Sequence, residues 1–358
     1  MDVNNIFKEL RVVELASVLA GPAVGTFFSE LGAEVIKVEK KNGGDVTRQW
    51  RTPNETEDGP SAYYASVNWH KQTVFLDFND AADHKKVVEL IKDADVLVSN
   101  FKKGDDQKFG LSYREVKEYN PNIIYGHISG FGSESDRVAY DLILQAESGF
   151  MSINGHPEGP PTKMPLALID LLAAHQLKEG ILCAMLAQRT GNNRSYLIEV
   201  SLYESAVASL INQATNWLMN ENVPQRIGSL HPNIAPYGEV FEMKDGRSVT
   251  LAIGNNRQFQ KLCSVLNAGE LSEDPRFSSN LKRVEHREEL YETLKDVINT
   301  FHTDSFLERM HKCRIPAGEI KNIRQVFESA EAEKLLLEEE IENRKTIRPK
   351  TAVFKIRE

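Results

Sequence analysis

Strand-like apolar runs alternate with helix-like segments over the first 200 residues of the chain. The runs are short and bounded by turn residues, which is typical of buried strands. They predict strands at 12–16, 34–39, 73–78, 96–100, 122–129 and 196–201. The segments between them predict helices at 22–31, 80–93 and 112–119, and an apolar helix follows the last strand to about residue 220. This order predicts a parallel sheet covered on both faces, with ligands bound beyond the carboxyl ends of its strands.

The pattern changes after about residue 224. Residues 240–254 read as a hairpin with Lys244-Asp245-Gly246 as its turn, and helix-like segments follow at 256–267, 283–300 and 303–312. In the tail, AEAEKLLLEEEIENRK is helical in composition, whereas TAVFKI is strand-like. We therefore predict an α/β protein with a Rossmann-like large domain at 1–200, a linker helix at 201–224 and a small α+β domain at 225–325.

Composition and charge exclude several classes of protein. Asp plus Glu number 52 against 43 Lys plus Arg, which gives a net charge of -9 and argues against a nucleic-acid partner. No apolar run approaches the roughly 18 residues of a membrane span, and MDVNNIFKELR lacks the features of a signal peptide. The three cysteines are far apart and form no CxxC pair. These features predict a cytoplasmic protein with reduced thiols and no membrane partner.

Several well-known site motifs are absent from the sequence. There is no GxGxxG, so Glu39 at the end of the second strand does not complete a dinucleotide fingerprint. Walker A, HExxH and GxSxG sequences are also missing, and the histidines are scattered. We therefore predict no metal site and no tightly bound cofactor.

One acidic residue lies in an apolar segment. Asp170 is flanked by MPLALI and LLAAHQ, and a buried carboxylate is costly unless it is paired or hydrogen-bonded. The simplest interpretation is that Asp170 is the N-cap of a helix at 171–189. A helix N-terminus also keeps a carboxylate ionised, which makes Asp170 a candidate nucleophile. The sequence alone leaves both interpretations open.

Basic residues and glycines follow the predicted strands. Lys37, Lys40, Lys41 and Arg48 belong to the second strand and the loop after it, Lys71 precedes the third strand, and Lys102, Lys103 and Lys108 follow the fourth. Loops of this kind converge at one edge of a parallel sheet, so the grouping favours a ligand that carries phosphates, although ordinary surface lysines would give the same pattern. The glycines of SGFGS (129–133) and IGNN (253–256) allow a close approach of backbone to a ligand, or are plain turns.

Taken together, an ordered set of segments resembles the family III CoA-transferases, the CaiB/BaiF type that includes the formyl-CoA:oxalate and carnitine enzymes. The segments cover nearly the whole chain: VVELASVLAGPAVGTFFSELGAEVIKVEKKNGGDVTRQW, VNWHKQTVFLDF, VLVSNFKKGDDQKFGLSY, IIYGHISGFG, AYDLILQAESGFM, GPPTKMPLALIDLLAAHQ and VTLAIGNNRQFQKLC. The resemblance implies that Asp170, in PLALID, is the catalytic aspartate. It also implies an interlocked homodimer and a return of residues 326–358 to the large domain.

The same resemblance implies a set of ligand-binding residues. Those expected to bind CoA are Ser17, Val18, Lys40, Lys41, Lys71, Asn100, Phe101, Lys108, Phe109 and Tyr140. Those expected to line the substrate pocket are Leu19, Asp141, Gly254, Asn255 and Asn256. Two departures stand out: Leu19 replaces a ligand-contacting glutamine of the oxalate enzymes, and the loop at 254–256 has fewer glycines than theirs.

The implied reaction moves CoA from an acyl-CoA to a carboxylic acid acceptor through covalent intermediates on Asp170. Two other functions stay open. The first is an α-methylacyl-CoA racemase, or a lyase or dehydratase, of the same fold; racemases resemble GHD where this chain has Ala139-Tyr140-Asp141, and a tyrosine is a poor base at neutral pH. The second is a CoA-binding homologue without catalytic activity. The identity of the donor and acceptor acids is not predicted.

Overall fold

The computed structural model describes residues 5–357 of the chain. Its strands, in chain order, are β1 Arg11–Glu14, β2 Glu34–Lys40, β3 Gln72–Leu76, β4 Val96–Ser99, β5 Ile124–Ser129, β6 Tyr196–Ser201, β7 Tyr237–Glu242, β8 Ser248–Ala252, β9 Ala317–Glu319, β10 Leu336–Ile341 and β11 Arg344–Pro349. All six strands predicted in the first 200 residues are present at the expected places.

The helices follow the predicted segments closely in the first half of the chain. In chain order they are α1 Ala20–Glu30, α2 Ala62–Ser66, α3 Ala81–Lys92, α4 Asp105–Lys108, α5 Tyr113–Tyr119, α6 Asp141–Glu147, α7 Phe150–Ile153, α8 Leu168–Arg189, α9 Leu202–Ala208, α10 Ile211–Asn220, α11 Asn256–Val265, α12 Gly269–Glu273, α13 Asn280–Glu285, α14 Arg287–Ile298, α15 Thr303–Lys312, α16 Ile323–Phe327 and α17 Ala330–Glu333. A short 3-10 helix spans Val46–Gln49.

The chain forms two compact units. The first unit contains residues up to Phe150, Lys163–Asn212 and the tail from Ala330, and the second contains Met151–Thr162 and Gln213–Ser329. Residues 151–162 therefore group with the second unit, although they lie inside the range predicted for the large domain. The helix predicted after the last strand is two helices, because the backbone of Ile211 adopts a positive φ of 44° between α9 and α10.

The first unit is built on a six-stranded sheet in the order β3-β2-β1-β4-β5-β6. Every neighbouring pair in it is parallel. This confirms the predicted α/β fold with a Rossmann-like large domain. The strand order reverses between β1 and β4, and ligands of open α/β sheets bind at such a switch point.

Alternate side chains of the central strands enter two separate cores, because successive residues of a strand point to opposite faces. Val12, Val96 and Val98 pack with α1 and α8 on one face of the sheet. Val13 and Leu97 pack on the other face with residues of α3 and α5. Burial on both faces explains why apolar residues are adjacent rather than alternating at Val12-Val13 in β1 and at Val96–Val98 in β4.

The second unit contains the predicted hairpin. Strands β7 and β8 pair antiparallel, and β9 adds to β8. The helices α11, α14 and α15 supply Phe259, Leu290 and Phe306 to a core that also contains Val249 and Leu251. Asp245, in the predicted turn, accepts hydrogen bonds from the amide and the hydroxyl of Thr303, which ties the turn to the start of α15.

The tail contradicts the sequence prediction. The segment AEAEKLLLEEEIENRK was expected to be helical, yet most of it forms the antiparallel hairpin β10–β11. The turn residues Glu342 and Asn343 have φ values of 51° and 66°, as a tight hairpin turn with two left-handed residues requires. Arg348 of β11 pairs with the buried carboxylate of Glu30. TAVFKI, expected to be a strand, has no regular secondary structure.

Within residues 5–357, no helix is both long and apolar enough to cross a membrane. The three cysteines Cys183, Cys263 and Cys313 carry free thiols.

Candidate active site

Two loops meet at the switch point of the parallel sheet. The amide of Ser17, after β1, donates to Asn100 Oδ1 at 3.1 Å, and Asn100 Nδ2, after β4, donates to the Ser17 carbonyl at 2.9 Å. This reciprocal pair holds the two loops together at the carboxyl ends of adjacent strands. The predicted residues Ser17, Val18, Asn100 and Phe101 are thereby brought to one place.

Val18 has an unusual backbone. Its φ is 72°, in the left-handed region that β-branched residues rarely occupy. Its amide donates to the carboxylate of Asp45, at 3.1 Å from Oδ2. Strained residues of this kind concentrate at functional sites and persist only where neighbouring groups hold them.

A cavity of about 260 Å³ opens beside this loop and contains Asp170. Its wall includes the predicted residues Ser17, Val18, Leu19, Asn100, Phe101, Tyr140 and Asp141. The first turn of α1, the glycine-bearing segment after β5 and the loop before α6 complete it. The structure thus brings the aspartate and most of the predicted large-domain residues to one cavity.

Asp170 is the third residue of α8, not its N-cap. The helix begins at Leu168, and Ala167 occupies the cap position without a side-chain hydrogen bond. Asp141 takes over the capping role, because its Oδ1 accepts a hydrogen bond from the Ile169 amide at 2.7 Å. The capping interpretation of Asp170 is therefore wrong, and its carboxylate is left for another use.

The Asp170 side chain is only 8% exposed, and no hydrogen bond reaches its carboxylate from any residue between 5 and 357. Burial, together with the nearby negative charge of Asp141, raises the pKa of Asp170 to about 7. Both causes disfavour the charged form. A carboxylate that is weakly solvated and unpaired is more reactive as a nucleophile than one held in an ion pair.

A second cavity, of about 460 Å³, lies on the other side of the same loop. It shares Ser17, Asn100, Phe101 and Lys102 with the first cavity, so the two cavities adjoin along this loop. Lys40, Lys41 and Phe109, three of the residues predicted to bind CoA, line this cavity. Phe78, Phe101 and Phe109 pack against one another, with ring centroids 5.3–5.9 Å apart.

Two predicted lysines are placed at the edge of this region. Lys41 Nζ lies 3.0 Å from Asp83 Oδ2 and is more than half exposed. Lys108 is not part of the cavity wall, but its Nζ lies 5.2 Å from the centroid of the Phe109 ring. The role of these two lysines in binding phosphate stays a prediction.

Lys71 does not occupy the place that the sequence predicted. Its Nζ is fully buried and lies 2.7 Å from Glu14 Oε2, with further bonds to the carbonyls of Pro22 and Val67 and to Asn68 Oδ1. Burial is the main reason why the pKa of Lys71 falls to about 7. The prediction that Lys71 binds CoA is contradicted by this placement, because every donor of the ammonium group is already used.

The neighbouring basic residues Lys37 and Arg48 also form ion pairs within the fold. Lys37 Nζ lies 2.9 Å from Glu14 Oε1 and 3.2 Å from Asp45 Oδ2. Arg48 pairs with Glu39 at 2.6 Å and stacks on the ring of Tyr64. Of the basic residues around β2, only Lys40 and Lys41 face the second cavity.

Gly254, Asn255 and Asn256 belong to the second unit, where their polar groups are used locally. The Gly254 amide donates to Gln258 Oε1 at 2.8 Å, and the Asn255 side chain caps α11 by accepting from the Gln258 amide. Asn256 Oδ1 accepts from Arg283 Nη2 at 2.9 Å. Their predicted role in a substrate pocket stays a prediction.

The structure adds residues that sequence reasoning missed. Asp45 holds the Val18 amide, and its place after the Gly43-Gly44 turn was the available signal. Burial and the charges of Asp170, Asp141 and Asp45 raise the pKa of Tyr63 to about 12, which places a neutral phenol near all three carboxylates. Arg137 also lines the first cavity, where it stacks 3.8 Å from the Phe131 ring.

The described part of the chain contains no group of three or more His, Cys, Asp and Glu side chains arranged to hold a metal ion.

Comparison with known proteins identifies the family of the chain. Residues 7–358 match the family described as CoA-transferase family III, and the chain belongs to that family. It is 37% identical to a succinate–glutarate CoA-transferase of Agrobacterium fabrum over 89% of this chain and 80% of that protein. It is 35% identical to a human succinyl-CoA:glutarate CoA-transferase, covering 91% and 74% of the two chains. An acetyl-CoA:oxalate CoA-transferase of Acetobacter aceti is 34% identical over 88% and 81%.

Solved structures show the same fold. A CaiB/BaiF family protein from Brucella suis superposes with a TM-score of 0.83 at 34% identity, covering 98% of this chain and 93% of that one. The Rv3272 protein from M. tuberculosis gives a TM-score of 0.84 at 26% identity, with 99% and 95% covered. The predicted family and fold are therefore confirmed.

Proposed function

We propose that the protein moves CoA from an acyl-CoA thioester to a carboxylic acid, with Asp170 as the covalent nucleophile. The observation that carries this proposal is the unpaired, buried carboxylate of Asp170 in the wall of the cavity at the sheet's switch point. A carboxylate whose only role was structural would be paired or hydrogen-bonded there.

The reaction proceeds in two matched halves. The Asp170 carboxylate attacks the thioester carbonyl, forming an aspartyl anhydride and releasing CoA thiolate. The thiolate then attacks the aspartyl carbonyl, which gives an aspartyl-CoA thioester and frees the donor acid. The acceptor carboxylate attacks that thioester, which expels CoA thiolate and forms a second anhydride. The thiolate then attacks the acceptor carbonyl of this anhydride, and the bond to the Asp170 oxygen breaks. The new acyl-CoA leaves, and the Asp170 carboxylate is regenerated.

This chemistry places specific demands on the site. A carboxylate is a weak nucleophile and a thiolate is the poorer leaving group, since their ordinary pKa values are about 4 and about 8.5. Partial desolvation of Asp170 increases its reactivity, and exclusion of water protects the anhydrides from hydrolysis. Hydrogen-bond donors directed at each tetrahedral oxyanion contribute about 3 kcal/mol apiece.

We assign the second cavity to the nucleotide end of CoA. Phe101 and Phe109 present aromatic surface for the adenine ring, and Lys40 and Lys41 present positive charge for phosphates. The path through Ser17 and Asn100 would then carry the pantetheine arm to Asp170. The relatives named above act on succinate, glutarate or oxalate, so short dicarboxylic acids are the first acceptors to screen.

Trapping the covalent intermediate tests this proposal. Wild-type protein incubated with succinyl-CoA and no acceptor should become labelled on the peptide that contains Asp170. Hydroxylamine should convert that residue to a hydroxamate, detected by mass spectrometry. The Asp170→Asn variant is the matched control and should carry no label. A label on another residue, or none on a protein that turns over substrate, would return the racemase or the non-catalytic binding function to consideration.

A further inference from the structure

In the loop between the two cavities, the strained residue Val18 is held by one buried side chain. Val18 has a φ of 72°, a region that a β-branched residue does not adopt without support. Its amide donates to Asp45, 3.1 Å from Oδ2 and 3.4 Å from Oδ1. Ser17, the preceding residue, is fixed separately by Asn100. Asp45 is therefore the side chain that directly accepts a hydrogen bond from the strained residue.

Asp45 is in turn fixed by its own neighbours. It is 3% exposed, and its Oδ1 accepts from the amide and the hydroxyl of Thr47 at 3.0 and 2.8 Å. Its Oδ2 faces Lys37 Nζ at 3.2 Å. Burial by itself would raise the pKa of Asp45, but Lys37 and the Thr47 bonds lower it below the ordinary value. The carboxylate is thus a rigid, ionised acceptor.

The charges behind Asp45 form an alternating chain. Lys37 bridges Asp45 and Glu14, and Glu14 also pairs with Lys71. Lys71 donates to the Pro22 carbonyl in the first turn of α1, the helix that begins two residues after Val18. Lys37 also donates to the Ala16 carbonyl, so the buried cluster connects the loop after β2 to both ends of the Ser17–Leu19 loop.

We infer that Asp45 is a positioning residue for the transfer reaction: by holding the Val18 amide it fixes the loop that aligns the thioester with Asp170. The inference rests on the proposed function. Val18 and Asp170 line the same cavity, and Ser17 belongs to both cavities, so a shift of this loop changes the path of the pantetheine arm. A misplacement of about 1 Å can lower the rate of a positioned reaction 100-fold.

A double-mutant cycle between Asp45 and Val18 tests this inference. Asp45→Ala should lower kcat about 10–100-fold, with a smaller change in the KM for acyl-CoA. In a Val18→Gly background the same substitution should lower kcat by a factor at least three times smaller, because glycine adopts a positive φ without support. If Asp45→Ala lowers kcat by the same factor in both backgrounds, the inference is overturned, since a general loss of structure does not depend on the residue at position 18.

Amide hydrogen exchange supplies a readout that does not require turnover. The peptide spanning 15–20 should exchange faster in Asp45→Ala than in wild type, and unchanged exchange there would also overturn the inference. Asn322→Ala, which removes the cap of α16 in the second unit, is the control and should leave both kcat and this exchange unchanged.

A second variant and a separate outcome keep the inference testable if Asp45→Ala does not fold or if the proposed function is wrong. If Asp45→Ala fails to fold, Asp45→Asn keeps the size and one acceptor oxygen, and it should show intermediate exchange and an intermediate kcat; wild-type values for both would refute the positioning role. If wild type forms no covalent adduct on Asp170, the proposed function fails, while the exchange result still decides whether Asp45 holds the loop.

Discussion

Two aspartates of the first unit are almost equally buried and have opposite surroundings. Asp45 faces an ammonium group and accepts hydrogen bonds from Thr47 and Val18, and its pKa is held below the ordinary range by Lys37 and Thr47 despite burial. Asp170 has no hydrogen-bond partner among residues 5–357, and burial beside Asp141 raises its pKa to about 7. Burial alone therefore does not distinguish a structural carboxylate from a chemical one.

The difference lies in whether the charge is compensated. A buried carboxylate with a cation and directed donors stabilises the fold around it, and its reactivity is suppressed. An uncompensated carboxylate lowers the stability of the folded chain and is retained for chemistry. On this comparison we expect substitutions at Asp170 to change activity, and substitutions in the Asp45 cluster to change stability and alignment.

The largest expected effect is on turnover. Asp170→Asn keeps the volume of the side chain but removes the nucleophilic oxygen, so CoA transfer should fall by at least 1,000-fold. Thermal unfolding and circular dichroism should show an intact fold. Near-normal turnover in this variant would contradict the role of Asp170.

The next largest effect is on stability. Lys37→Met removes the cation between Glu14 and Asp45 and leaves buried negative charge, which should cost about 3–5 kcal/mol of unfolding free energy. Lys41→Met is the matched control: Lys41 is more than half exposed and its partner Asp83 keeps a second cation, Lys86, so this substitution should cost much less. Urea denaturation measures the unfolding free energy of both variants. Equal losses would show that the buried ion pairs of Lys37 stabilise the fold no more than the pair of Lys41 does.

The pH dependence sharpens the comparison further. Because the pKa of Asp170 is raised to about 7, the folded protein binds a proton at this site that the unfolded chain loses near pH 4. This contribution to stability therefore declines as pH rises from about 4 to 7 and stays low above 7. Asparagine does not titrate, so the unfolding free energy of Asp170→Asn should not fall in this way. At pH 8 it should be about 1–4 kcal/mol higher than that of wild type, and at pH 4 the two should differ little.

The same titration should appear in catalysis. The nucleophile must be ionised, so kcat/KM for acyl-CoA should fall as pH drops below about 7. A profile that stays flat down to pH 5 would show that Asp170 is already ionised there, and the two aspartates would then differ less than proposed.

The smallest effect is expected at the phosphate end. Lys41→Ala should raise the KM for acyl-CoA severalfold with little change in kcat, and should weaken the salt dependence of CoA binding, because one screened charge contact is lost. Lys40→Ala and Lys108→Ala serve as parallel variants. Unchanged affinity in all three would remove the lysines from the CoA site.

Much of the fold was predictable from local pattern. The six strands of the parallel sheet are short apolar runs whose burial on both faces makes them conspicuous, as in Val12, Val13 and Val96–Val98. The order of strands and helices implies that their loops meet at one edge, and Ser17, Asn100, Phe101 and Asp170 do line one cavity. These features depend on periodicity and chain direction, which the sequence carries directly.

Other features depended on partners distant in the chain. The tail segment 330–345 has helix-forming residues, but Arg348 pairs with Glu30 and the strand pairing of β10 with β11 prevails over local propensity. Asp170 looked like a helix cap in sequence, and Asp141, 29 residues earlier, occupies that role instead.

The sequence by itself determined the α/β order, the strands and the aspartate in its apolar segment, because hydrophobic periodicity is a local property. Only the tertiary structure decided which charges are compensated. Lys71 looked like a phosphate ligand, yet it is buried against Glu14, while Lys40 and Lys41 remain at the cavity. Ion pairing depends on distances of a few ångströms between residues far apart in sequence, 57 positions for Glu14 and Lys71, and no local pattern specifies such distances.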